Sequence, residues 1–63
     1  MTTFFSLGDR VLAPDPDDPN GALRAAKMYG SGTDTPGTQV SVQFENDYRG
    51  AVNVPADRVV KLS

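Results

Sequence analysis

Val40-Ser41-Val42-Gln43-Phe44-Glu45-Asn46-Asp47-Tyr48-Arg49-Gly50-Ala51-Val52-Asn53-Val54-Pro55-Ala56-Asp57-Arg58-Val59-Val60-Lys61-Leu62 reads as strand, turn, strand, short turn and final strand. From Gln39 to Phe44 the alternation is strict. Val40, Val42 and Phe44 share one face and Gln39, Ser41 and Gln43 the other, the period of a half-buried strand. Glu45 to Arg49 is polar and turns the chain, and Gly50 to Val54 returns as the hairpin partner with Val52 and Val54 inward. Pro55-Ala56-Asp57-Arg58 fits a single 3₁₀ turn, which leaves Val59 to Leu62 as a closing strand.

Outward from this core, Leu7-Gly8-Asp9-Arg10-Val11-Leu12-Ala13 opens on a turn pair and continues as a strand. That strand begins near Asp9 and stops at Pro14. Pro14 to Gly21 holds three prolines, which remove amide donors and fix φ, and ends in Asn20-Gly21, a tight-turn pair. A stiff exposed loop is expected there. Ala22 to Tyr29 has the composition of a helix, but eight residues between two glycines make a marginal one. Leu23, Ala25, Lys27 and Tyr29 alternate with Arg24, Ala26 and Met28, and the segment is read as a strand. Gly30 to Gly37, with three glycines and no apolar side chain except that of proline, is expected to be a mobile loop.

Five short strands with a 3₁₀ turn before the last predict an all-β fold, a small five-stranded SH3-like barrel over residues 7–62. Closure would remove the exposed edges that so small a chain cannot otherwise protect. Residues 1–6 are expected to form an N-terminal extension. Its adjacent Phe4 and Phe5 would point to opposite faces, one plugging the open end of the barrel and the other free for self-association.

Sixty-three residues make one domain with a small core. The chain has no cysteine, which excludes disulfides and thiolate zinc sites, and no histidine, which removes the usual catalytic base and imidazole ligand. A nucleophile–histidine–carboxylate triad cannot be assembled. A domain without catalysis, metal or cofactor is therefore expected. Six basic residues against eight acidic ones give a net charge of −2, and the basic residues are scattered at Arg10, Arg24, Lys27, Arg49, Arg58 and Lys61. Nucleic-acid modules carry a basic stripe, so nucleic acid is not the expected partner. Asp15, Asp17 and Asp18 in the first loop, with Glu45 and Asp47 flanking the later turn, suit a basic ligand better. No apolar run approaches the roughly 20 residues of a membrane span, and Met1 to Phe5 is too short for a signal peptide. A cysteine-free chain fits an intracellular home; as an excised domain it would take any targeting signal from outside itself.

Leu7 to Ala13 resembles the opening of Tudor domains, where a Gly-Asp-x-Val-Leu-Ala phrase forms the first strand. Val42-Gln43-Phe44-Glu45-Asn46-Asp47 resembles the Tudor third strand and its acidic turn, and Val54-Pro55-Ala56-Asp57-Arg58-Val59 the closing turn and strand. The resemblance implies a protein-interaction module of the chromatin-reader type, in the nucleus, binding a basic or methylated, histone-like peptide. Such readers hold a methylammonium against aromatic faces by cation–π attraction, with a carboxylate beside it. Carried over by position, Phe44 matches the third-strand cage aromatic and Tyr48 could supply a second wall. Asp15 stands where many readers have tryptophan, and Arg24 where the second-strand aromatic would be. The implied ligand site is a reduced cage of Phe44 and Tyr48 with Asp15, Asp17, Asp18, Glu45 and Asp47. Arg24 is expected to pair with a nearby loop carboxylate. An alternative role is a structural barrel that mediates subunit contacts without reading a methyl group.

Phe5-Ser6-Leu7-Gly8-Asp9-Arg10-Val11 also resembles the start of the plasmid-borne type of dihydrofolate reductase, an SH3-like barrel active as a tetramer. That enzyme reads its ligands through a Val-Gln-Ile-Tyr phrase. The corresponding Ala51-Val52-Asn53-Val54-Pro55 keeps a polar residue between two valines but lacks the tyrosine, and the pore lysine has no clear match.

Overall fold

A computed structural model describes residues 2–62. Met1, the first residue of the expected extension, lies outside the described residues. The chain forms β1 (Phe4–Phe5), β2 (Arg10–Pro14), β3 (Leu23–Met28), β4 (Gly32–Thr33), β5 (Gln39–Phe44), β6 (Ala51–Pro55), a 3₁₀ turn (Ala56–Arg58) and β7 (Val60–Lys61). Five of these strands make one antiparallel sheet in the order β6-β5-β3-β2-β7, while β1 and β4 pair as a small second sheet.

The alternation in β5 settles which face is inside. Val40, Val42 and Phe44 are buried, and across the ladders they are joined by Val54 of β6, Ala26 and Met28 of β3, and Val11 and Ala13 of β2. Val52 packs on the rim of this cluster. The Ala22–Tyr29 segment is a strand despite its helical composition. Leu23 to Lys27 pairs with β2 on one side, and Ala26 to Met28 with β5 on the other. Those ladders, with Ala26 and Met28 buried at period two, outweigh an intrinsic helix preference of a few tenths of a kcal/mol per residue.

The sheet is not a closed barrel. Its edge strands β6 and β7 follow one another through the 3₁₀ turn but are not paired. Pro55 has no N–H to donate, and β7 is two residues long, pairing with Leu12 and Val11 of β2 before Leu62 donates its N–H to the Arg10 carbonyl at 2.8 Å. The sheet instead coils around its core. The radius of gyration is 10.4 Å, close to the roughly 10.6 Å of a compact globule of this length.

The segment expected to be a mobile loop contains a strand. Gly32 pairs with Phe5 and Thr33 with Phe4, and Asp34 extends the ladder by donating its N–H to the Thr3 carbonyl at 3.1 Å. The two phenylalanines do face opposite ways: Phe5 is buried in the core and Phe4 is 69% exposed. Gly32 permits the approach, since a Cβ there would lie 2.7 Å from Val40 Cγ1.

Candidate functional site

Asp15 follows the last residue of β2, and its environment is set by two neighbours on the chain. Pro14 is itself buried, and the Asp17 N–H donates to Asp15 Oδ1 at 2.9 Å, fixing the carboxylate in an Asx turn. The side chain is only 7% exposed, so its charge requires a counter-charge close by. Two arginines supply it. Arg24 lies opposite Ala13 in the β2–β3 ladder and donates through Nη1 to Asp15 Oδ2. Arg49, in the turn between β5 and β6, donates from Nη1 to Asp15 Oδ1 at 2.9 Å and from Nη2 to Oδ2 at 3.1 Å.

Arg49 is shared more widely. Its Nε donates to Asp47 Oδ2 at 2.8 Å, its Nη1 to Asp17 Oδ2 at 2.6 Å, and its backbone N–H to Asp47 Oδ1 at 2.9 Å. The turn that presents it is shaped by Asn46 and Gly50, whose φ angles of 58° and 79° are left-handed. Beneath both arginines lies Phe44. Its ring is buried in the core, and each guanidinium carbon stands 5.3 Å from its centroid, within cation–π range.

These contacts govern protonation. The Arg49 guanidinium, then the Asp17 N–H, hold the Asp15 carboxyl well below the usual carboxylate range. Asp47 is lowered by the Arg49 side chain and then by the Arg49 backbone N–H. Arg49, hydrogen-bonded by Asp47 and then Asp15, is raised still further above its already high value. Asp15, Asp47 and Arg49 are therefore ionised at neutral pH.

The structure therefore brings Phe44, Asp15, Asp17 and Asp47 together around one cation. Tyr48 is fully exposed, lining with Lys27, Gln43, Phe44, Glu45, Asn46 and Asp47 a shallow cleft of about 540 Å³. Asp18 faces a different cleft of about 400 Å³, walled by Pro14, Pro16, Pro19, Val54, Pro55 and Arg58. Arg24 pairs with Asp15, as the sequence suggests. Arg49 is the residue that sequence reading does not single out. Its one local signal is the Asp47-x-Arg49 spacing within a polar turn.

Comparison with known proteins finds no family model, no curated protein and no solved structure that matches this chain.

Proposed function

We propose that the chain is a non-catalytic interaction module whose acidic end takes a basic segment of another protein. The observation that carries this reading is the charge balance of that end. Asp15, Asp17 and Asp47 share Arg24 and Arg49, while Lys27 lines the cleft beside Glu45 and Arg58 that beside Asp18. Five carboxylates thus stand against four cations, and the two loops that bear the carboxylates are tied together by Arg49. One negative charge is left over in a region that also holds a cleft and an exposed tyrosine. Such a field draws a cationic peptide and speeds its association.

The strand order, with the last strand returning to the first long one after a 3₁₀ turn, supports a Tudor-like arrangement of the SH3 type, open along one seam. Charge takes the larger part in this recognition and aromatic caging the smaller. The Phe44 face carries two guanidiniums already, and Tyr48 stands clear in solvent. A methylated side chain would gain its extra contact from Tyr48. A role on basic, histone-like tails in the nucleus is compatible with this chemistry.

The test is an NMR titration of the labelled chain with a basic peptide, unmodified and with mono-, di- and trimethylated lysine or methylated arginine. Shifts confined to residues 15–18 and 44–49 and weakened by salt support the module. A silent spectrum, or shifts at the far end of the sheet, rejects it.

A second reading, assembly through the opposite end, is favoured by the exposure of Phe4 and Leu7, at 69% and 73%. Lys61 fixes that end, donating to the Phe4 carbonyl at 3.1 Å and pairing with Asp9 at 3.4 Å. Sedimentation over a concentration range separates the readings: a reader stays monomeric, and an assembly module does not.

A further inference from the structure

The environment of Arg49 has the composition of a receptor for a planar cation. A phenyl face lies on one side, one carboxylate is engaged edge-on by both terminal nitrogens, and two further carboxylates close the remaining directions. Arginine recognition uses this forked geometry, which an ammonium cannot reproduce because it presents a point charge. Solvent reaches the occupant, since the Arg49 side chain is 31% exposed. Arg24, with its single carboxylate partner, flanks the ring from β3 and forms a wall.

We infer that Phe44, Asp15 and Asp47 form a guanidinium seat that the chain fills with its own Arg49, and that a partner's arginine binds by exchanging with it. The inference rests on the acidic-end reading above and deepens it. The partner supplies an arginine in preference to a lysine. The internal side chain acts as a competitor, lowering apparent affinity by the fraction of time it holds the seat. Exchange conserves every hydrogen bond, because one guanidinium replaces another on the same oxygens. The displaced Arg49 moves into solvent while Asp17, at 75% exposure, stays free to follow either cation.

The experiment compares wild type with Arg49→Ala, using methylguanidinium and methylammonium as probes at concentrations below those that unfold the chain. In Arg49→Ala, methylguanidinium gives saturable NMR shifts at Phe44, Asp15 and Asp47, at least about tenfold stronger in affinity than methylammonium. The wild type binds the probe at least about tenfold more weakly than the variant. A folded variant that takes up no methylguanidinium, or equal affinity in the two proteins, overturns the seat. Should Arg49→Ala unfold, recovery of its fold by methylguanidinium supports the seat, and the wild type decides the question independently. There, the Arg49 Nε–H signal, held on Asp47, moves to a free-arginine position as an arginine-rich peptide saturates the acidic end. A peptide that binds residues 44–49 and leaves this signal unmoved overturns the exchange. Failure of any basic peptide to bind the wild type counts against the module reading, whereas probe uptake by Arg49→Ala tests the seat alone.

Discussion

Asp15 and Arg49, 34 residues apart in the chain, meet in a forked pair with bonds of 2.9 and 3.1 Å. The pair joins the loop after β2 to the turn after β5 and covers the Phe44 ring, so one contact ties two loops to the core.

Its dependence on pH has a definite sign. Asp15 and Asp47 are lowered in the folded chain, chiefly by Arg49, so the unfolded chain takes up their protons first. The stability they contribute is complete above the ordinary carboxylate range and is lost as pH falls from about 4 toward the folded values. Urea midpoints are expected to be flat from pH 7 to 5 and then to drop. Arg49→Gln starts lower at pH 7 and drops less. Asp9, lowered by the Ser6 N–H and then by Lys61, keeps some slope in both proteins. Parallel curves for the two proteins would remove Arg49 as the cause.

Phe4 and Phe5 are adjacent yet differ in consequence. Phe5→Ala empties a buried site and costs about 3–5 kcal/mol. A domain of this length holds about 3–9 kcal/mol in all, so the variant is expected to lose its cooperative thermal transition. Phe4→Ala leaves the midpoint within a few degrees, since its ring is mostly in solvent. Equal effects would mean that β1 does not deliver Phe5 to the core.

The main sheet is legible in the residues because alternation reports burial directly: Val40, Val42 and Phe44 name their own face. The same logic separates Phe4 from Phe5. Less can be read where pairing depends on what the fold brings near. Gly32 and Thr33 carry no strand pattern and pair only because β1 lies alongside them. That the sheet stays open follows from the shortness of β7, which no residue in Val59–Leu62 announces. At the site, the carboxylates and Phe44 can be picked out by type. Their shared counter-charge cannot, because Arg49 reaches Asp15 through the fold and not through sequence spacing.

Gly32 and Gly30 offer a controlled comparison. A methyl at Gly32 meets Val40 Cγ1 at 2.7 Å, and a β-branched side chain has little room to turn away. Gly32→Ala is expected to cost about 1–3 kcal/mol by overpacking. At Gly30 a Cβ meets nothing within 4 Å, and φ is not left-handed. Gly30→Ala is expected to be neutral or to stabilise by about 0.4–1 kcal/mol through the unfolded chain. Thermal melts of the two variants check both, and a neutral Gly32→Ala would place β4 farther from β5.

Phe44 serves the core and the arginines together, and a single substitution can separate the two. Phe44→Ala opens a cavity costing about 3–5 kcal/mol, so lost binding in that variant, alone or with Tyr48→Ala, would report unfolding. Phe44→Leu fills most of the volume for about 1 kcal/mol and removes only the π face beneath Arg24 and Arg49. The variant is expected to fold, with Nε–H exchange at Arg49 several-fold faster than in wild type. Tyr48→Ala, fully exposed, changes stability by less than about 0.5 kcal/mol. It therefore isolates the part that tyrosine plays in ligand affinity. If exchange at Arg49 is unchanged in Phe44→Leu, the carboxylates alone hold the guanidinium and the ring merely lies beneath it.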